Sequence, residues 1–255
     1  MHQYSLLQHL RIATGKIPML RQFYDFMRLL FVPTYREDGL CTAHNCDYLK
    51  TTNFQSAYAA ALRLQPGVDI RWRAHVTQWA GSHAAQLAGD FVECGVNRGF
   101  LSMSVMTYID FKKFPDRKFY LFDTYSGLVD AQVTAEDKAA FRNYYEDTYE
   151  FVVDSFREFP NAVVVKGVVP EILDTVRIDR VAYLSIDMNC TQPELAALEY
   201  FWPRMVAGGV IVLDDYGFSG HEAQKSAADG FAEKVGAHIL SLPTGQGLLL
   251  KSPAP

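Results

Sequence analysis

The sequence predicts an α/β fold: a Rossmann-like, doubly wound sheet that is mostly parallel, with one antiparallel terminal strand and a helical N-terminal extension. Three observations support this prediction. From residue 90 onward, apolar runs of strand length alternate with segments of helical periodicity. The runs are continuously apolar, which is typical of parallel strands that are buried on both faces. The last two runs are separated by a short Pro- and Gly-containing segment, which predicts a hairpin.

The first 85 residues are expected to form the helical extension. Apolar residues recur there at helical spacing, at Leu20, Phe23 and Leu30, and Pro33 ends the helix. Such a face packs on the protein's own core, on a second subunit or on a membrane surface, and the sequence leaves all three open. We expect residues 1–85 to act as a lid and as the contact of a homo-oligomer.

Residues 86–255 are expected to form the sheet domain. Gly208 and Gly209 predict a turn, and Pro193 predicts the first turn of a helix. Residues 136–159 predict one long amphipathic helix or a broken pair. Further helices are expected at about 100–109 and 221–235, and strands at 90–94, 118–123, 162–166, 181–187, 210–214, 238–241 and 247–251.

Composition excludes several classes of protein. A net charge of −5 and a pI near 5.8 argue against a basic stripe for duplex nucleic acid. Runs of about 18 apolar residues and a signal-peptide pattern are both missing from the sequence. Four cysteines make no disulfide framework. We therefore expect a cytoplasmic protein with no nucleic-acid partner and no transmembrane segment.

A glycine-containing turn follows the first strand of this domain, Glu93-Cys94-Gly95-Val96-Asn97-Arg98-Gly99. Its form, E-x-G-x-x-x-G, differs from the G-x-G-x-x-G fingerprint that brings a pyrophosphate to a helix N-terminus. The preceding acid and the wider spacing favour a cationic ligand without phosphate, and a plain tight turn is the alternative. Gly95 would let the ligand approach the backbone, and Glu93 would offer it a carboxylate.

Asp123 ends the second strand, about 25 residues after that turn. From this position a carboxylate accepts both hydroxyls of a ribose. Residues 124–127 then supply hydroxyl groups and a glycine around a nucleoside. The alternative is that Asp123 is a helix N-cap.

Three carboxylates end two later strands. Asp187 ends one strand, with Asn189 two residues beyond it, and Asp214 and Asp215 end the next. If these strands are neighbours, the like charges meet at one edge of the sheet, where a cation would have to neutralise them. Carboxylate oxygens completed by water and substrate are ligands typical of Mg²⁺. Solvated or capping carboxylates are the alternative.

Four blocks of sequence together resemble the macrocin O-methyltransferase family over roughly residues 70–251. These enzymes depend on S-adenosylmethionine and Mg²⁺ and methylate hydroxyl groups of small molecules, often sugars of natural products. The metal triad also resembles that of catechol O-methyltransferase. The four blocks are residues 93–99, 121–128, 185–187 and 208–217.

The resemblance implies a set of site residues. Asp187, Asp214 and Asp215 would hold the metal. Many family members continue the fourth strand with a second acid and then Leu-Tyr, whereas this chain has Asp187-Met188-Asn189-Cys190-Thr191, so the substrate side of the metal is expected to differ. The predicted S-adenosylmethionine site consists of Glu93, Cys94, Gly95, Val96, Asn97, Asp123, Thr124, Ser126, Gly127, Gly167, Ser185 and Asp187.

Methyl transfer needs an oxygen nucleophile in line with the sulfonium and about 3 Å from the methyl carbon. A metal would lower the pKa of the acceptor hydroxyl and orient it. Asp187 is the expected proton acceptor, and His221 is a weaker candidate.

Lys166 could edge the adenine site or be a solvated side chain. Trp72, Arg73 and His75 could close over the ligand, although packing of an N-terminal helix explains Trp72 equally well. The aromatic stripe Phe141, Tyr144, Tyr145 and Tyr149 is expected to pack in the core, with the alternative that some of its tyrosines face the acceptor.

Two other classes of function stay open on the sequence. A non-catalytic S-adenosylmethionine-binding protein would have no use for three clustered carboxylates. An NAD-type oxidoreductase is disfavoured because the G-x-G-x-x-G fingerprint is missing. The identity of the hydroxylated acceptor depends on the shape of the pocket, which the sequence does not give.

Overall fold

The computed structural model describes residues 18–133 and 146–253, and the chain divides into two compact units. The first unit ends at Leu49. Helix α1 (Pro18–Phe31) forms where the apolar spacing predicts it, and strands β1 (Tyr35–Glu37) and β2 (Leu40–Thr42) pair as an antiparallel hairpin. The guanidinium of Arg28 donates a hydrogen bond to the carbonyl oxygen of Ala43 at 2.7 Å, which ties the helix to the end of the hairpin.

The second unit, from Lys50 onward, contains a seven-stranded sheet of order β5-β4-β3-β6-β7-β9-β8. Strands β3 to β7 run parallel, and β9 lies antiparallel between β7 and β8. The mostly parallel sheet with its antiparallel terminal strand confirms the predicted fold. The strands are β3 (Asp90–Cys94), β4 (Phe119–Asp123), β5 (Ala162–Lys166), β6 (Val181–Ile186), β7 (Met205–Leu213), β8 (Ile239–Ser241) and β9 (Gly247–Leu250).

Both faces of the sheet carry packed side chains, and consecutive residues of a strand contribute to opposite faces. On one face, Val92 and Leu184 join a core with Phe201 and Phe231 from two helices. On the other, the ring of Phe91 stacks on Tyr183 at 5.4 Å between centroids. The helices are α2 (Thr52–Leu64), α3 (Arg71–Ala84), α4 (Phe100–Tyr108), α5 (Tyr149–Ser155), α6 (Thr191–Phe201) and α7 (Glu222–Lys234), with 3₁₀ turns at Asp47–Lys50, Phe111–Lys113, Leu173–Thr175 and Trp202–Arg204.

One local prediction was wrong, and one element was missed. Gly208 and Gly209 form no turn between elements, because β7 runs through them with a shift in its register against β6. Gly208 takes a positive φ of 78°, and the Gly208 N–H and Gly209 C=O bond to Lys251. The β1–β2 hairpin was not predicted, because strands of three residues give no periodic signal.

The remaining predictions concern the helix expected at residues 136–159 and the expectation that the chain has no transmembrane segment. Of that segment the structure describes 146–159, in which α5 is a single short helix. Phe141, Tyr144 and Tyr145 lie outside the described residues. Among the helices that are described, none combines the length and the apolar character needed to cross a bilayer.

Candidate active site

A cavity of about 310 Å³ opens at the carboxyl ends of β3, β4, β6 and β7. This is the edge at which doubly wound sheets bind their ligands. Eleven of the predicted site residues line it, namely Glu93, Gly95, Val96, Asn97, Asp123, Thr124, Gly127, Gly167, Asp187, Asp214 and Asp215. The cavity therefore brings together most of the residues that the sequence singled out.

The turn after β3 passes against the loop after β6. Gly95 has a positive φ of 89°, and a Cβ there would overlap the carbonyl oxygen of Asp187. The Asp187 N–H donates to the Cys94 carbonyl oxygen at 2.9 Å. The glycine is thus required by the close approach of two backbone segments, in addition to any approach of a ligand.

Asp123 holds the same turn from the next strand. Its Oδ2 accepts the backbone N–H groups of Val96 and Asn97 at 2.6 and 2.8 Å, and its Oδ1 accepts that of Tyr125 at 2.6 Å. The Thr124 hydroxyl donates to the Gly127 carbonyl oxygen at 2.7 Å. A carboxylate has about four acceptor positions, so these three amides leave room for a ligand hydroxyl. The N-cap alternative is wrong, because no described helix begins at Asp123.

Glu93 is almost fully buried and is hydrogen-bonded by the hydroxyl of Ser102. Burial raises the pKa of Glu93 well above its usual range, and the charges of Asp214 and Asp123 raise it further. The carboxyl group at the floor of the cavity therefore favours its protonated form.

Asp187, Asp214 and Asp215 meet at one place, with an oxygen atom of each within 4.8 Å of the others. They follow the adjacent strands β6 and β7, and Asp214 and Asp215 are buried. Burial raises the pKa of Asp187 well above its usual range, Asp214 and Asp215 raise it further, and Arg73 opposes them. Three hard oxygen donors on one side of an open cavity fit a Mg²⁺ ion that completes its shell with water or substrate.

Polar side chains surround this triad. Gln246 Nε2 donates to Asp214 Oδ1 at 2.8 Å, and Arg73 Nη1 forms a short ion pair with Asp214 Oδ2. Asn189 Nδ2 donates to Asp187 Oδ1 at 3.3 Å. His221 Nδ1 lies 3.7 Å from Asp215 Oδ2 and does not line the cavity.

Three predicted cofactor residues do not line the cavity. Cys94 and Ser185 are fully buried within their strands, where burial raises the pKa of the Cys94 thiol, and Ser126 is exposed. Of the suggested closure, Arg73 lines the cavity, whereas Trp72 packs edge-on against His75.

Lys166 lies away from the cavity wall. Its ammonium group pairs with Asp147 at 3.2 Å and lies 5.0 Å from the centroid of the Tyr149 ring. The cavity also has lining residues that the sequence analysis missed, because they lie in irregular loops or at helix starts without a motif, among them Gln65, Phe100, Gln132, Met188 and Pro193.

Solved structures share this architecture. The O-methyltransferase NovP superposes with a TM-score of 0.60 at 22% identity, over 71% of this chain and 80% of NovP. The calicheamicin methyltransferase CalS11 gives 0.57 at 15% identity, over 78% of this chain and 93% of CalS11. PaMTH1 of Podospora anserina, solved with S-adenosylhomocysteine, gives 0.52 at 10%, over 80% of this chain and 89% of its own.

The doubly wound sheet with its antiparallel strand and its cavity at the strand ends is the Rossmann-like architecture of these methyltransferase structures. Residues 76–239, well over half of the chain, match the family model of the macrocin O-methyltransferases (TylF). The chain belongs to this family of O-methyltransferases, which confirms the resemblance found in the sequence. No curated protein sequence matches the chain significantly.

Proposed function

We propose that this protein transfers a methyl group from S-adenosylmethionine to a hydroxyl of a small molecule, a sugar or other natural-product acceptor, with the help of a divalent cation. One observation carries the proposal: the three clustered carboxylates share a cavity with the Gly95 turn and with Asp123. A structure of CalS11 describes it as a TDP-rhamnose 3'-O-methyltransferase of calicheamicin biosynthesis, and this supports a sugar acceptor.

In this proposal the turn after β3 and the end of β4 bind the cofactor. The three amides that bond to Asp123 fix its carboxylate at the cavity wall, where its remaining acceptor position would take a ribose hydroxyl. The acidic lining of the cavity, with Asp123 among its carboxylates, suits the positively charged sulfonium and ammonium groups of the cofactor.

Asp187, Asp214 and Asp215 would hold Mg²⁺. When bound there, the ion would lower the pKa of the acceptor hydroxyl and orient its oxygen. Asp187 would take the proton, because a carboxylate that lines the cavity and ligates the ion can also lie beside the acceptor hydroxyl. Asn189 would fix the orientation of that carboxyl through its bond to Oδ1.

Replacing Asp187 by Ala tests this function. We expect release of S-adenosylhomocysteine in the presence of hydroxylated sugars or phenols to be lost, while calorimetric binding of S-adenosylmethionine persists. Asp154→Ala, which alters an exposed side chain, is the matched control and should keep both the turnover and the binding of S-adenosylmethionine. Turnover that survives in Asp187→Ala would contradict the proposal, and wild-type binding without turnover of any acceptor would favour the non-catalytic alternative.

We also propose that the enzyme is a cytoplasmic homo-oligomer. The four cysteines are free thiols, as is usual in the cytoplasm. Helix α1 exposes large apolar side chains, among them Phe23 at 61% and Phe26 at 60% of their surface, and such surfaces are typical of protein contacts. Light scattering should show that the wild-type protein is an oligomer and that Phe23→Asp dissociates it. A monomeric wild type would contradict this proposal, and so would binding of α1 to lipid vesicles.

A further inference from the structure

Arg73 connects the start of α3 to the candidate metal ligands. Its guanidinium forms the short ion pair with Asp214, which stands 141 positions later in the sequence. The Asp214 side chain is only 1% exposed, whereas that of Arg73 is 18% exposed. The guanidinium carbon lies 5.1 Å from the centroid of the Phe218 ring, which supports the planar group from one side.

The two oxygen atoms of Asp214 are held by donors of different kinds. Gln246 is fully buried, and its amide oxygen accepts the Thr244 hydroxyl at 3.0 Å, so its bond to Asp214 is fixed and neutral. The other oxygen pairs with the positively charged guanidinium of Arg73, whose side chain is partly exposed to solvent. A divalent ion bound by the triad would lie close to this charge.

The charges of the cluster show what Arg73 does. Three carboxylates with oxygens within 4.8 Å repel one another in a mostly buried place. The guanidinium of Arg73 places one positive charge in direct contact with Asp214, one of these three carboxylates. A positive charge supplied by the chain itself thus stabilises the cluster before any ion binds.

We propose that Arg73 is the resident counter-cation of the metal triad and that it sets the affinity of the site for Mg²⁺; this rests on the metal site of the proposed function. Without an ion, Arg73 offsets part of the repulsion between the three carboxylates. With an ion, the guanidinium and Mg²⁺ repel each other, so that the ion binds less tightly than the carboxylates alone would bind it. Arg73 therefore acts through Asp214 as a positioning residue and does not take part in the reaction itself.

Calorimetric titration of the metal-free protein with Mg²⁺ tests this inference. Arg73→Met should bind Mg²⁺ on the order of tenfold more tightly than wild type at low ionic strength. Arg73→Lys keeps the charge and should stay close to wild type. The matched control is Arg177→Met, which removes an exposed arginine paired with Asp179 and should change nothing. Unchanged or weaker binding by Arg73→Met, or Arg73→Lys behaving like Arg73→Met, would overturn the inference.

Thermal melting gives a second readout that does not depend on activity. Arg73→Met should melt below wild type in EDTA, and the difference should narrow at saturating Mg²⁺. If Arg73→Met does not fold, Arg73→Gln also removes the positive charge, keeps a polar side chain of similar length and leaves the triad intact. Tighter Mg²⁺ binding by that variant supports the inference, and equal or weaker binding overturns it. Wild-type protein that binds no Mg²⁺ at all would overturn the proposed metal dependence as well, so the two failures are distinguishable.

Discussion

Gly95 is the residue at which two backbone segments of the active site meet. It combines a positive φ of 89° with a position where any Cβ overlaps the carbonyl of Asp187. Replacement by Ala should lower the free energy of unfolding by at least about 2 kcal/mol, because both the conformation and the contact become strained. Urea denaturation measures the change. Gly230→Ala, in open space within α7, is the control and should stabilise by up to about 1 kcal/mol; equal effects at both positions would contradict this account.

Asp123 is expected to serve both the turn after β3 and the cofactor. Asn at this position offers a single acceptor oxygen, so that at least one of the three backbone N–H groups loses its partner. Asp123→Asn should lose about 1–3 kcal/mol of stability and should bind S-adenosylhomocysteine more weakly in calorimetry. Asp154→Asn, which alters an exposed pair with Arg157, should change neither quantity appreciably. Wild-type affinity in Asp123→Asn would argue against the ribose role.

Individual site residues differ in how far the sequence reveals them. Asp187 and Asp214 could be predicted because each follows an apolar strand, and parallel strands end at one edge of the sheet. The ion pair of Arg73 with Asp214 joins residues that are 141 positions apart in the sequence, and the hydrogen bond from Gln246 to Asp214 joins residues that are 32 positions apart. Such pairs depend on how helices and hairpins dock onto the sheet, which no local pattern encodes.

The first turn of helix α6 carries a partly buried acid, Glu194, that holds the loop after Asp187. Glu194 Oε1 accepts the N–H of Met188 at 3.2 Å and the side-chain amide of Gln224 at 3.3 Å. Burial raises the pKa of Glu194 to about 7, although the hydrogen bonds to its carboxylate oppose this shift. The folded protein therefore binds a proton that the unfolded chain has released above pH 4.5, and Glu194 destabilises the fold progressively as the pH rises towards 7.

Glu194→Gln should remove this dependence on pH. The free energy of unfolding of wild type relative to Glu194→Gln should fall by about 2–3 kcal/mol between pH 5 and pH 7.5. Urea titrations at several pH values measure the difference. Leu198→Ala, a buried apolar change on the same helix, should destabilise equally at every pH. A wild-type advantage over Glu194→Gln that grows with pH would contradict the raised pKa.

The elements show which patterns carry structural information. The five parallel strands were predictable because they are rich in apolar residues along their length, as is typical of strands such as β6 that are buried on both faces. The course of β7 through Gly208 and Gly209 was not predictable, because paired glycines usually indicate a turn. Only the backbone hydrogen bonds to Lys251 keep the two glycines in β7. Local propensity fails where neighbouring strands decide the conformation.

The whole molecule combines a fold that many enzymes share with a site whose residues restrict the reactions that it can support. Similar structures at 22% identity or less establish the fold, and the family model establishes O-methyl transfer. The divalent cation is the remaining central part of the proposed chemistry. The proposal of a cation is based on the meeting of Asp187, Asp214 and Asp215 at the ends of adjacent strands. The proposed activation of the acceptor hydroxyl depends on this meeting.

Crystals grown with S-adenosylhomocysteine and Mn²⁺ test this claim most directly, because manganese gives an anomalous signal and takes the same oxygen ligands as Mg²⁺. We predict one anomalous peak in the cavity, bound by an oxygen from each of Asp187, Asp214 and Asp215. A filled cofactor site with no peak among these three side chains, or a peak bound elsewhere, would contradict the account.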